Sequence, residues 1–420
     1  MENNTSKSIG SLQLAGLLVG AVLGSGVILL PPIAHAQLGS WALVAWLAIL
    51  GLGAVFAALF AKLALAYPGS EGVPIAVREA FGKRAGSLAS NYMISAVCVG
   101  PIAVMIIASE TMVRAFHLSQ EMIPLLSAFL LVASGLLLLR KLAFVGTVAL
   151  CANICIGIVL VSGSVLTILH APTSPAPVAD FDGLAMGKTL LLLFWAIIGW
   201  EIIGNYSMEV RQPKKTILRA TVLGVGAISS IYILVAWALE AVAAQTGRND
   251  LVVADVVTSV LGPYAHFVVM VITTTLCVCT FLMFVGGVAR LIASLAAQGR
   301  FIPFLQRRNV NGAPVAAMGL LLSLHAVSLF FVYLEVITLE QVVAYANVFF
   351  LSNSLIAVLA AMKLFTSPFL RIPCVFLCMG FVALLSFSSF WSLGALGVVT
   401  VYTLGGDSLR GFLPRFVRSS

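Results

Sequence analysis

Apolar residues run without interruption for the width of a membrane, again and again along this chain. A bilayer core of about 30 Å is crossed by about 20 residues of helix. Twelve stretches meet that length: 11–36, 40–66, 86–113, 121–139, 142–169, 186–209, 217–243, 262–295, 313–334, 338–364, 371–387 and 389–405. Only the serine cluster at Ser386–Ser389 divides the last two. The runs are continuous rather than alternating, which argues against a membrane barrel. The expected fold class is therefore an all-α polytopic membrane protein. Composition agrees, with 61 % of the 420 residues apolar and 9 % charged. Soluble domains hold about 45–50 % and about 25 %. A soluble enzyme, a disordered chain and a nucleic-acid-binding domain are excluded.

The basic residues give the orientation. With the N-terminus inside, every lysine and arginine except Arg114, Lys188 and Arg248 falls on the inner side. The positive-inside rule then requires an even number of spans and cytoplasmic termini. It also accounts for the net charge of +8 without nucleic acid. Residues 1–10 and 406–420 are expected to be cytoplasmic tails. No cleavage pattern comes after the first apolar run, so that run is expected to be retained as a span.

Two spans are poor helices in their middles. The first carries Gly16, Gly20 and Gly24 at four-residue spacing, then Ser25, Gly26, Pro31 and Pro32. Such spacing serves close helix packing, and packing alone is one account of it. The other is an unwound turn at Gly24-Ser25-Gly26, tolerable in a membrane only where backbone lines a cavity. The sixth span reads Phe194-Trp195-Ala196-Ile197-Ile198-Gly199-Trp200-Glu201. Glu201 is the one acidic residue placed near a span centre. A carboxylate there is costly and faces a cavity or a partner; a buried structural hydrogen bond would satisfy it as well. The breaks are expected near Gly24–Val27 and Ile198–Glu201. Paired broken helices in corresponding halves of a chain point to an inverted-repeat transporter. Each break exposes N–H groups at one half-helix end and carbonyls at the other. A zwitterionic amino acid suits that pattern. Its carboxylate would meet the N–H groups near Gly24, Ser25 and Gly26. Its ammonium would meet carbonyls near Ala21, Val22, Trp195 and Ile198.

These residues resemble the amino acid–polyamine–organocation superfamily of permeases. Three stretches carry the likeness. They are Gly24-Ser25-Gly26-Val27 before the prolines, Phe194-Trp195 through Gly199 and Glu201 to Glu209-Val210-Arg211-Gln212-Pro213, and Arg290-Leu291 through Gln298-Gly299-Arg300 to Pro303. Val99-Gly100-Pro101 and Tyr345-Ala346-Asn347 are most similar to bacterial exporters of methionine and branched-chain amino acids. The resemblance implies a LeuT-like five-plus-five inverted repeat (11–169 and 186–364), two extra helices (371–405), the bacterial inner membrane, and alternating access around a midplane site. Arginine/agmatine antiporters of the superfamily carry polar or aromatic groups where this chain has Ala21, Ile94 and Phe284. A long cation would lack partners there, and stripping its water would be costly. An apolar pocket of Trp195, Phe284, Val99 and Pro101 is expected instead. Neither the lysine in span five of some proton-coupled relatives nor the span-eight hydroxyl pair of sodium-dependent ones is found at 142–169 or Phe284–Val288. That leaves Glu201, loosened by Gly199, as the candidate for proton coupling, with exchange as the other mode.

No other chemistry competes. Met186-Gly187-Lys188-Thr189 ends like a phosphate loop but has Asp182 where the motif needs glycine. The five histidines are scattered without ligand spacing, and the seven cysteines lie in apolar runs, expected to be buried as small apolar side chains. No metal and no cofactor is expected. Gly72–Phe81 reads as a short interfacial helix, either a loop helix under the spans or a gating one. A membrane enzyme lacks its nucleophile or metal motif, and a channel lacks filter repeats or charged rings. A permease for a cationic amino acid or polyamine, and a transporter-like membrane sensor, stay open beside the neutral amino-acid transporter.

Overall fold

The computed structural model describes residues 9–170, 180–248 and 250–410. They are helical, with no strand among the described residues beyond one bridge between Ile9 and Val210. The helices are α1 (Ser11–Leu23), α2 (Gly26–Leu38), α3 (Ala42–Ala66), α4 (Val73–Phe81), α5 (Lys83–Val99), α6 (Pro101–Ala115), α7 (Ile123–Leu138) and α8 (Leu142–Leu169). They continue with α9 (Gly183–Leu193), α10 (Pro213–Thr246), α11 (Val253–Leu261), α12 (Ala265–Ala297), α13 (Val315–Tyr333), α14 (Leu339–Leu364), α15 (Pro368–Leu385) and α16 (Phe390–Arg410). Among the described residues, nine helical stretches are long and apolar enough to cross a membrane. A tenth arises if α15 and α16, bent by 118° to each other, count as one. That bend falls at the Ser386–Ser389 cluster.

The packing identifies the solvent. Phe129 and Leu136 on α7, Ile158 on α8 and Val222 on α10 are each more than 60 % exposed. A contiguous outer face of this kind would aggregate in water; lipid accepts it without cost. The chain is an integral membrane protein. The broken helix α1–α2, the 3₁₀ backbone beyond the end of α9, and α12 hold the interior, where side chains from Leu14 to Val288 are buried.

The structure adds detail to several sequence expectations and corrects one. The third apolar stretch is one candidate span, Lys83–Ala115, interrupted at Gly100 between α5 and α6, because Pro101 has no N–H for the helical ladder. Cys151 and Cys155 are exposed on the outer face of α8 rather than buried, since a helix face against lipid can be as apolar as one against protein. Ile9 is tied to the end of the 3₁₀ segment after α9. The Ile9 N–H donates to the Glu209 carbonyl (3.2 Å) and its own carbonyl accepts from Arg211 N–H (2.9 Å). Helix α16 runs past 405 to Arg410. Lys7, Arg415 and Arg418 lie outside the described residues. Gly72–Phe81 does form a helix, α4, starting after Gly72. Helix α11 had no sequence expectation.

Candidate functional site

Helices α1 and α2 are separated by two residues. Gly24 takes φ 44° and ψ −146°, a conformation that strains any side-chain-bearing residue. A Cβ there would also lie 2.7 Å from Thr280 Oγ1. The turn leaves the last carbonyls of α1 without helical donors. Thr280, on α12, has one hydroxyl proton for Leu276 O (3.0 Å), Ala21 O (3.1 Å) and Gly20 O (3.3 Å). The Tyr232 hydroxyl reaches Leu23 O at 3.2 Å and Val22 O at 3.5 Å. Gly20 O also accepts from the Gly24 N–H at 3.1 Å, so two hydroxyl protons serve the remaining carbonyls of Ala21, Val22 and Leu23, which leaves acceptor capacity for an ammonium. On the far side, the first N–H groups of α2 have no acceptor in their own helix. Ser25 Oγ beside them is buried and has no partner among the described residues.

The second break starts earlier than the expected Ile198–Glu201. Helix α9 ends at Leu193, Phe194–Ala196 is a 3₁₀ turn, and the chain turns again at Gly199, with φ 128°. It resumes as a 3₁₀ segment over Trp200–Glu209. Such a long run is uncommon and marks strain or a hinge. The Gly199 N–H donates to Glu201 Oε2 at 3.0 Å, so the carboxylate braces the turn. Glu201 Oε1 has no partner among the described residues. It lies at a second, smaller cavity between α3, α4 and the 3₁₀ segment, lined also by Phe60, Leu63, Val73 and Gly204.

Between the two breaks lies the first cavity. Ala21, Val22, Leu23 and Gly24 form one wall, Trp195 and Ile198 another, and Gly100, Pro101 and Val104 a third. Thr280 and Phe284 of α12 and Phe350 of α14 close it. The Phe284 and Phe350 rings pack with centroids 5.1 Å apart. Thr280 carries the only polar side chain in the lining apart from the indole N–H of Trp195. The open space is about 20 Å³, room for roughly one water, so an amino acid must displace the walls.

Ala21, Val22, Gly24, Pro101, Trp195, Ile198 and Phe284 therefore meet in one place. Ser25, Gly26, Val99, Gly199, Ile94 and Glu201 do not line it. Ser25 and Gly26 continue its wall into α2, and Gly199 packs behind it, near Val22 and Phe284. Sequence reasoning passed over Leu23, Gly100, Val104, Thr280 and Phe350 as site residues. Thr280 could have been found, because it stands four residues before Phe284 and shares its helix face.

Among known proteins, residues 9–407 match the amino acid permease family, a branch of the amino acid–polyamine–organocation superfamily. The chain belongs to that family. The permease is 26 % identical to the L-methionine/branched-chain amino acid exporter YjeH of Escherichia coli, over 92 % of this chain and 94 % of the relative. It is 22 % identical to an uncharacterized amino acid permease, YecA, of Bacillus subtilis, over 76 % and 78 %. It is 28 % identical to a cadaverine/lysine antiporter of Escherichia coli, over 76 % and 73 %. The permease is a transporter, not an enzyme.

Polar contacts tie the second break of the permease to its surroundings. Glu71, buried in the turn before α4, accepts from Arg78 Nη1 and from Gln298 Nε2 beyond α12, both at 2.8 Å. Asn205 donates to Ser70 O at 3.0 Å, and Ser207 Oγ accepts from Gly69 N–H at 2.9 Å. At the end of the 3₁₀ segment, Glu209 meets Arg290 of α12 through two nitrogens, Nε at 2.5 Å and Nη2 at 3.3 Å. Arg290 also donates to Gly286 O at 2.8 Å and lies over the Tyr206 ring.

Proposed function

We propose that this permease is a secondary active transporter of neutral apolar L-amino acids, such as methionine, leucine, isoleucine and valine, working by alternating access. The observation that carries the proposal is the lining of the first cavity: mainly apolar side chains between two broken backbones, with no charged group among them. The substrate carboxylate would take the N–H groups at the start of α2, near Ser25 and Gly26. Its ammonium would take the carbonyls of Ala21 and Val22, with those of Trp195 and Ile198 opposite. Its side chain would lie against Phe284, Phe350, Val104 and Pro101. The likeness to an exporter of such amino acids over nearly the whole chain supports this choice. In this proposal the helices form twelve spans with cytoplasmic termini in a bacterial inner membrane. Spans one and six correspond in a five-plus-five inverted repeat, while α4 and α11 lie outside the count.

A second reading, a permease for a cationic amino acid or polyamine, is favoured by the antiporter relatives. Counterflow in proteoliposomes with labelled amino acids separates the two. Leucine and methionine should outcompete lysine and cadaverine by about tenfold or more, because the lining offers the second ammonium no carboxylate. If lysine or cadaverine competes best, the pocket assignment is wrong.

Proton coupling is assigned to Glu201. The protonated acid can donate a hydrogen bond that the carboxylate cannot, so its free oxygen can hold or release the α3–α4 side of the second cavity. Glu201→Gln keeps a donor but cannot titrate. It should still bind substrate while its exchange rate loses most of its pH dependence. A pH–rate profile matching wild type would leave Glu201 only bracing Gly199.

A further inference from the structure

Pro101 opens the cavity wall and removes a hydrogen bond in doing so. In an uninterrupted helix the N–H of residue 101 would serve the carbonyl four residues back, that of Val97. Proline has no N–H. The ladder remains formed on one side, where Gly100 N–H donates to Ala96 O at 2.8 Å. It tightens on the other, where Ala103 N–H donates to Gly100 O at 3.0 Å. The Val97 carbonyl between them lies in a fully buried part of α5, where neither water nor lipid can satisfy it.

A side chain from another helix takes the missing place. His325, on α13, is completely buried, and its Nε2 stands 2.8 Å from Val97 O. A carbonyl can only accept, so this nitrogen carries the proton. The ring packs on Phe281 with centroids 5.2 Å apart. His325 is outside the cavity lining, yet the backbone it holds is the turn immediately before Gly100, Pro101 and Val104, which form the third wall. Gly100 has no room to drift: a Cβ there would lie 2.7 Å from the Cβ of Ala346 on α14.

We infer that His325 is a positioning residue for the substrate pocket, supplying from α13 the hydrogen bond that Pro101 removes from α5 and so fixing the break that forms one wall. The inference rests on the first cavity being the substrate site. The test is a mutant cycle of His325→Leu, His325→Gln, Pro101→Ala and the double variant Pro101→Ala/His325→Leu. It is read by KM and maximal rate in counterflow of leucine and by the melting temperature of the purified protein. His325→Leu should raise KM about tenfold, the effect of leaving a buried carbonyl unpaired beside the wall. His325→Gln, whose amide can donate in the same place, should recover most of that loss. In the Pro101→Ala background residue 101 has its own N–H for Val97. Adding His325→Leu there should change KM less than about twofold, as the coupling logic of a mutant cycle requires.

An equal KM penalty for His325→Leu in both backgrounds, or a glutamine variant as impaired as leucine, overturns the inference. If His325→Leu alone does not fold, the glutamine variant and the double variant still decide it. If the wild type moves no amino acid in the panel, the proposed substrate falls. The melting cycle then decides the bond itself: His325→Leu should lower the melting temperature in the wild-type background and leave it unchanged beside Pro101→Ala.

Discussion

Glu209→Ala should destabilise the permease by about 3–5 kcal/mol, the cost of leaving a buried charge without its partner. The Arg290 side chain is only 7 % exposed. Without Glu209 it would keep just the Gly286 carbonyl and the face of Tyr206. Neither neutralises a guanidinium. The pair also joins the end of the Trp200–Glu209 segment to α12, so its loss should loosen two elements that flank the cavity. Thermal unfolding of the detergent-purified protein measures the effect. Glu209→Leu combined with Arg290→Met should recover much of the lost stability, because an apolar pair of similar volume removes both charges at once. A Glu209→Ala protein that melts with wild type would show that the pair does not hold the bundle together.

Ser25→Leu should abolish transport while leaving a folded, monodisperse protein. Ser25 is 1 % exposed at the two-residue turn between α1 and α2. Its neighbour Gly26 is hemmed in, since a Cβ there would lie 2.6 Å from the Tyr232 hydroxyl. A leucine side chain has no free space at this buried turn, so it should displace the start of α2 and the N–H groups proposed to take the carboxylate. Ser25→Ala is the control. The serine hydroxyl has no partner among the described residues, so its removal should change the transport rate by less than about threefold, within the range of one unmade hydrogen bond. Wild-type rates in Ser25→Leu would move the carboxylate site elsewhere.

The demands that lipid makes of a chain explain which parts of this molecule were legible before folding. A membrane core sets the length of each apolar run and forbids unsatisfied backbone. The long membrane helices, the turn at Ser386–Ser389 and the breaks at Gly24-Ser25 and around Gly199 could therefore be read from run length and glycine placement, while the short α11 and the interruption at Gly100 could not. The positions of Ala21, Val22, Trp195 and Ile198 come with those breaks, because a break brings its own flanking carbonyls with it. The directions of side chains could not be read that way. In water a helix declares its buried face by an apolar stripe. In lipid both faces are apolar, so nothing in 142–169 distinguished the outward Cys151 from the inward Asn153 by periodicity. For the same reason, only packing decided that Glu201 opens toward α3 and α4, away from the first cavity, and that Thr280 and Phe350 line that cavity. The bond from His325 to Val97 joins residues 228 positions apart. Pro101 announces the orphaned carbonyl, but which side chain reaches it depends on α13 lying beside α5, a contact that only the folded chain creates.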